Sequence, residues 1–496
     1  MEERVDVVVV GFGAAGACAA IEAAEAGARV LVLDRFGGGG ATAISGGVVY
    51  AGGGTSVQLA AGATDTPEAM AAYLRHETGD AVTPATLRRF CAESPAMIDW
   101  LAARGVPFHA SLCPDKTSYP TNRHYLYVSG NERAYPDPAP RGHRTHAPGT
   151  SGRLLFARLE SAARAAGARV LTRARVHRLI VGADGVVAGV EGRWLRGWPA
   201  VVHRLLHRFS VKPGLYLPRL GRALHRPVAL LEARYGRPFR VEAGAVILAT
   251  GGFVFDRAMM REHAPGHRGV LRLGTPGDDG SGIRLGVAAG GATRLMDRVS
   301  LWRFLTPPSA LAEGVLVDRD GRRFCDESRY GAAIGEALHR RPGGRAWLLI
   351  DADVRAEARR RLREQTLWFQ RPQAWWWLGP GRISAPTVEE VAGKAGITPP
   401  TERKGLSRPP WSLIPVSTRG APMLTLGGLR ADESTGQVLR ADGSGIPGLY
   451  AAGRTAAGIC SRSYVSGLSL ADCVFSGRRA GRAVLADKGE PSAHRD

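Results

Sequence analysis

Residues Gly11-Phe-Gly-Ala-Ala-Gly16 follow the apolar run Val5-Asp-Val-Val-Val-Val10 and open a smooth Ala/Ile/Glu stretch. Glycines at this spacing hold a pyrophosphate. Gly11 permits the tight turn, Gly13 lets the backbone approach the ligand, and Gly16 lets helix and strand pack closely, while the amides at Ala14 and Ala15 open a helix whose N-terminus attracts phosphate. Ala28-Arg-Val-Leu-Val-Leu-Asp34 then reads as a second strand ending in a carboxylate able to accept from a ribose 2′-OH. An ADP-containing cofactor follows from this order of strand, turn, helix, strand and acid. The motif by itself does not separate NAD from FAD.

A second group of residues suited to chemistry is phenolic. Tyr119, Tyr125 and Tyr127 alternate with small and polar residues between Lys116 and Glu132, a pattern that fits a loop over a cleft, with substrate contact and loop packing both open to them. Arg141, His143 and Arg144 fit a phosphate contact or a brace for that loop better than acid catalysis. No Ser-His-Asp arrangement and no metal-ligand spacing is legible, and the six cysteines contain no C-x-x-C pair.

Stepping along the chain, Arg35 to Gly54 is dense in glycine with small hydroxyl residues, so its backbone can lie against a flat, extended ligand; Ala41, Thr42, Ser45, Gly46 and Gly47 are its candidate contacts. Gly244-Ala-Val-Ile-Leu-Ala-Thr-Gly-Gly-Phe253 is an apolar strand ending in a glycine turn at Ala249, Thr250 and Gly251. Ile446-Pro-Gly-Leu-Tyr-Ala-Ala-Gly453 is another. In this order the segments resemble the two-domain FAD flavoproteins that include fumarate reductase, succinate dehydrogenase and the 3-ketosteroid dehydrogenases, across nearly the whole chain. The resemblance implies FAD, with Arg35, Asp279, Gly280, Gly453, Ser469 and Leu470 among its further contacts. Succinate dehydrogenases attach FAD through a histidine in the loop after the acid, and the first histidine here is His76, so the expected attachment is noncovalent.

The chemistry is read from what the family's C-terminal motif becomes. Fumarate reductases resemble Asn-Arg-Leu-Gly-Gly-Asn-Ser-Leu-Ala-Asp-Cys there, and this chain has Ser463-Tyr-Val-Ser-Gly-Leu-Ser-Leu-Ala-Asp-Cys473. Tyr464 stands where the arginine would clamp a dicarboxylate, and a phenol cannot replace a bidentate guanidinium. Tyr-x-Ser-Gly resembles instead the motif of 3-ketosteroid dehydrogenases, more closely the Δ4-(5α) type than the Δ1 type. Desaturation beside a ketone takes a proton from the α-carbon and passes a hydride from the β-carbon to flavin N5. Tyr464 with a Ser466 relay is the expected proton shuttle. The Gly467 N–H and a second phenol, Tyr330, are the expected donors to the enolate oxygen. The same site run backwards would be an ene-reductase, and a peripheral electron-delivery flavoprotein is the alternative of a different class. The electron acceptor is not legible.

These residues require an α/β fold: a Rossmann-like, discontinuous FAD-binding domain at residues 1–295 and 418–488, an inserted α+β substrate domain at 296–417, and a tail at 489–496. A helix after Gly277-Asp-Asp-Gly280 is expected to face the flavin phosphates. Trp368 and Trp375 to Trp377 read as core or interface aromatics, and residues 378–412 as loop.

The net charge of +21 is unevenly placed. Residues 192–240 carry ten Arg, Lys212 and three His against the single acid Glu232, interleaved with Trp, Leu, Val, Phe and Tyr. Flavin binding requires no such insertion. Its composition suits an element lying on anionic lipid, a subunit contact or a solvated flap; nucleic acid is not indicated, since no nucleic-acid motif accompanies it. Cysteine usage and the short apolar run before Gly11 suggest a cytoplasmic protein, peripheral on the inner membrane face if the insertion binds lipid.

Overall fold

The computed structural model of the chain describes residues 2–486 apart from 137, 212, 213, 215, 216 and 268. The expected tail at 489–496, the last residues of the expected FAD domain, and Lys212, Leu215 and Tyr216 of the insertion lie outside the described residues.

An eight-stranded sheet organises the cofactor-binding part. Its path runs Gln437–Leu439, Gly445–Ala451, Arg237–Leu248, Glu2–Val10, Val30–Asp34 and Arg169–Thr172, parallel from Gly445–Ala451 onward. The hairpin Ala174–Val181 and Val187–Trp194 adds antiparallel to the first half of Arg237–Leu248. Continuous Val/Leu/Ile runs fit strands covered on both faces. Val7 and Val9 face one core with the Ala14–Glu25 and Leu468–Ala486 helices, whereas Val8 and Val10 face another with Ile283 and Leu285. The Leu468–Ala486 helix crosses the first helix closely, with Gly477 against Ala15 and Gly481 against Ala19. This contact fixes the start of the last helix, and so the preceding Tyr464–Gly467 turn, over the sheet's carboxyl edge.

Residues 299–425 leave this sheet and return. Val299–Leu301 and Pro422–Thr425 pair in a small sheet with Leu271–Arg272, so the outgoing and returning chains run side by side. Beyond it, Val315–Val317, Arg345–Ile350, Trp411–Ser417 and Ile383–Ala385 form an antiparallel sheet. Its alternate residues face two separate apolar clusters: Leu316, Leu348 and Ile414 on one side, Val315, Leu349 and Leu413 on the other.

Residues 378–412 hold more regular structure than their composition suggests. Ile383–Ala385 is an edge strand, and Val388–Ala395 is a helix capped by the Thr387 side chain and ended by Gly396 in the left-handed region. The Gly and Pro residues lie between and around these elements.

The 192–240 insertion is a helical hairpin. Trp198–Val211 and Pro218–Tyr235 lead into Arg237–Leu248. It folds back onto the end of the second strand rather than standing away from the sheet.

Candidate active site

Two adjoining cavities sit at the carboxyl edge of the main sheet. The first, of about 580 Å³, runs from Gly11 and Gly13 past Asp34 and Arg35 to Ala41, Thr42, Ala249, Thr250, Gly251 and Gly453. The second, of about 420 Å³, is bounded by Ser45, Gly46 and Gly47 of the glycine-rich loop, by Ser469 and Leu470, and by aromatic residues of the inserted segment. Ala41, Thr42, Ile44, Arg454 and Cys473 line both, so the two are continuous.

The first cavity is built by close backbone packing. Gly11 has φ +100°, and a Cβ there would lie 2.4 Å from the Ala249 carbonyl oxygen. A Cβ at Gly16 would lie 2.0 Å from the Gly11 carbonyl oxygen. Gly16 therefore acts beneath the cavity, holding the turn against the helix. Ala14 and Ala15 line it, and the Ala14 N–H is bonded to Thr42 Oγ1 at 3.0 Å, which ties the glycine-rich loop across the helix start. Asp34 accepts the N–H groups of Phe12, Phe36 and Gly38 at 3.0, 2.8 and 3.0 Å. A carboxylate offers about four acceptor positions, so one remains for a ribose hydroxyl.

Two expected contacts are corrected. Asp279 turns away from the cavity and pairs with Arg35 at 2.7 Å, while Gly280 caps the Ser281–Ala288 helix outside the lining. Asp278 takes the place, pairing with Arg454 at 2.7 Å. Arg454 itself was not singled out from the sequence, although it directly follows Gly453 at a strand end, where a lone charge is a usable signal. Its buried Nη1 has no hydrogen-bond partner among the described residues.

Phenols and indoles shape the second cavity. Tyr464, at the turn before the last helix, lies with its ring 4.9 Å from Trp302 and 6.2 Å from Tyr330. Tyr330 begins the Gly331–His339 helix, and its backbone N–H is held by Asn131 Oδ1 at 2.6 Å. Burial pushes the Tyr464 phenol up and the neighbouring Cys460 adds to this, while the Gly467 N–H bonded to its oxygen and the Arg454 charge act the other way. Burial likewise raises Tyr330, with Tyr464 and Tyr127 contributing and a bond to Ser466 opposing. Both phenols therefore hold their protons at neutral pH.

Ser466 and Gly467 line this cavity, and Ser466 Oγ is 3.0 Å from Tyr127 Oη. The expected Tyr464–Ser466 relay is thus redrawn: Ser466 joins Tyr330 to Tyr127, and Gly467 serves Tyr464. Tyr127 is fully buried behind the lining. Tyr119 lines the cavity with its ring, its hydroxyl donating to the carbonyls of Gly46 and Gly149 at 2.7 and 3.0 Å. Tyr125 lines neither cavity; it precedes the Leu126–Tyr127 strand and packs against His146 and Arg144. Arg144 is a brace, donating to the carbonyls of Pro120, Thr121, Ala147 and Gly149. Arg141 pairs with Asp65 at 2.7 Å with both side chains buried, and His143 is bonded to Thr55 Oγ1.

The insertion is a further correction, since flavin binding was not expected to involve it. His207, Arg208, Phe209 and Val211 line the first cavity at the end marked by Asp34 and Phe36.

A family model described as an FAD binding domain matches residues 6–467. The chain belongs to the FAD binding domain family of flavoproteins. This flavoprotein is 39% identical over 492 residues, 90% of this chain and 92% of the relative, to the 3-oxo-5-alpha-steroid 4-dehydrogenase of Comamonas testosteroni. Its fold matches the crystal structure of 3-ketosteroid-Δ4-(5α)-dehydrogenase from Rhodococcus jostii RHA1 in complex with 4-androstene-3,17-dione, with a TM-score of 0.79, 30% identity and 97% of both chains covered. A flavocytochrome c3 fumarate reductase shares the fold at 21% identity, with a TM-score of 0.65 over 98% of this chain and 79% of that one. The flavoprotein is an FAD-dependent oxidoreductase acting on CH–CH groups. Its cavity suits the cofactor on its own terms: the Gly11 turn admits no side chain, Asp34 retains an acceptor position, and Arg454 presents a buried donor without a partner.

Proposed function

We propose that this flavoprotein dehydrogenates a 3-ketosteroid, at the Δ4 position of a 5α-reduced ring system. The observation that carries the reading is the pair of protonated phenols, Tyr330 and Tyr464, set 6.2 Å apart on a cavity walled by Trp302, Phe304, Phe369 and Trp377. A flat aromatic slot suits fused apolar rings. Arg454, the guanidinium on its wall, has its Nη2 held by Asp278 and only Nη1 unpartnered among the described residues, so a dicarboxylate finds no bidentate clamp. Similarity to two proteins named for this activity supports the same reading.

When bound, the flavin supplies the hydride acceptor. The chain's residues supply the rest. Tyr464, with the Gly467 N–H behind it, donates to the ketone oxygen and stabilises the charge that grows there when the α-proton leaves. Tyr330, with Ser466 and Tyr127 behind its hydroxyl, takes the α-proton in its phenolate form, so the neutral phenol first releases its own proton to solvent through the cavity and flavin reduction rises with pH. In this reading residues 296–417 are the substrate domain, supported by apolar clusters separate from those under the main sheet. The test is anaerobic titration of the yellow protein with a steroid panel: bleaching by 5α-reduced 3-ketosteroids supports the proposal. Bleaching by none of them, or by succinate alone, rejects it.

We also propose that the hairpin's outer face lies on anionic lipid at the cytoplasmic face of the membrane. Trp198, Val201 and Leu205 form an exposed stripe at helical spacing, beside Arg204. Among the described residues no helix is long and apolar enough to cross a membrane.

A further inference from the structure

The hairpin has an inner face as well, and its contacts are specific. Glu232, the single acid of residues 192–240, is buried and accepts from Arg35 Nε at 2.8 Å and Nη2 at 2.9 Å, from Arg175 Nη1 at 3.1 Å, and lies 3.0 Å from His203 Nε2. Arg35 is the residue after Asp34, and its remaining nitrogen is held by Asp279 at 2.7 Å. One carboxylate thus ties both helices of the hairpin to the end of the second strand, where the dinucleotide motif places the ribose. Beside it the His207 ring stacks on Phe36 with centroids 3.8 Å apart and planes 10° apart. His207 lines the first cavity, and the buried Nδ1 atoms of His207 and His225 have no hydrogen-bond partner among the described residues. Buried imidazole nitrogens left in this state favour a polar ligand beside them.

We propose that the 198–235 hairpin is a clasp over the adenosine end of the FAD site, held shut by Glu232, so that cofactor and hairpin hold each other in place. The glycine-rich motif grips the pyrophosphate alone. The clasp sets His207 and Val211 beside Phe36 as a wall at the adenosine end, and FAD cannot leave past it without parting the Glu232–Arg35 pair. Its demands fall on the inner face only, so it is independent of what the exposed stripe meets, and it rests on the FAD assignment but not on the steroid reading.

The experiment uses purified holoenzyme of the wild type, Glu232→Gln and His207→Ala. Serial dilution with flavin fluorescence reports FAD loss, and trypsin reports access to the arginines of the hairpin. Glu232→Gln removes the charge while keeping the shape, and is expected to weaken FAD retention by about tenfold or more, with His207→Ala weaker in the same direction. Excess ADP should displace FAD more readily from both variants, and FAD should protect the wild-type hairpin from trypsin. Retention within about threefold of wild type in both variants, with unchanged circular dichroism, overturns the proposal; a larger loss in either supports it. If neither variant folds, the wild-type digest decides: cleavage in the hairpin at the same rate with FAD bound or stripped overturns it, and protection by FAD supports it.

Discussion

Ser466 Oγ and Tyr127 Oη lie 3.0 Å apart in a buried contact that joins residues 339 positions apart in the chain. Removing either hydroxyl, in Ser466→Ala or Tyr127→Phe, breaks this bond, and Ser466→Ala also loses the contact to Tyr330, so both variants should slow flavin reduction, Ser466→Ala the more. The double variant should be little worse than Ser466→Ala alone, since that change already removes the partner of Tyr127. Stopped-flow bleaching by a 5α-reduced 3-ketosteroid measures this, and additive losses would show that the two hydroxyls act separately.

Tyr464→Phe keeps the ring against Trp302 and removes the donor. Loss of a proton-handling or carbonyl-polarising group should cost about 10²- to 10⁴-fold in the bleaching rate with flavin content unchanged. A packing role alone predicts almost no change. Unaltered kinetics would take Tyr464 out of the reaction and leave Tyr330 and Tyr119 as the remaining phenols on the cavity wall.

FAD should be noncovalent. The loop after Asp34 carries no histidine, and the cysteine that lines both cavities, Cys473, has a thiol pushed up by burial and by Asp472, which makes it a poor nucleophile. Acid or heat precipitation should leave the yellow colour in the supernatant. Colour retained in the pellet would contradict this.

Acid should loosen the cofactor. Burial and the neighbouring His203, His225 and Arg35 hold His207 at about 3, and burial with Arg35 holds His225 at about 4, both below their ordinary 6.5. A released hairpin would bind protons that the docked one excludes, so docking is fully favourable above pH 6.5 and weakens as pH falls toward those values. Glu232 has the same sign at lower pH: burial raises it, but His203, Arg35 and Arg175 outweigh this and hold it at about 2, so its contribution fades below its ordinary 4.5. FAD retention should therefore be flat near neutrality and decline through the mildly acidic range. The decline should start at lower pH in His207→Ala, and an unchanged acid profile in that variant would exclude the imidazole as its source.

Binding to anionic vesicles should depend on salt. Each Arg or Lys near such a surface contributes about 1 kcal/mol before screening, so association should collapse over the sub-molar range. Trp198→Ala with Leu205→Ala should weaken sedimentation with vesicles. Equal sedimentation of the variant and the wild type would favour a subunit contact for the exposed stripe.

The sequence by itself determined the first cavity in outline. Gly11, Gly13, Gly16 and Asp34 act within one strand-turn-helix-strand unit, whose geometry is set by local backbone sterics and hydrogen bonds, and so their spacing is readable without the rest of the fold. The same holds for the Ala249–Gly251 and Gly453 strand ends. Tertiary structure alone decided what crosses the sheet edge. Asp278 and Asp279 are neighbours with identical side chains, and only the position of Arg35 on one side and Arg454 on the other divides their roles. Tyr125 and Tyr127 look equivalent in a run of phenols, but only Tyr127 lies in the short strand, behind Ser466, while Tyr125 precedes it and packs on the loop. The basic hairpin reads from composition as a surface element because its charges outnumber its acids so heavily. Its inner face depends on one carboxylate, Glu232, finding Arg35 at a separation of 197 residues, a pairing that no local pattern encodes.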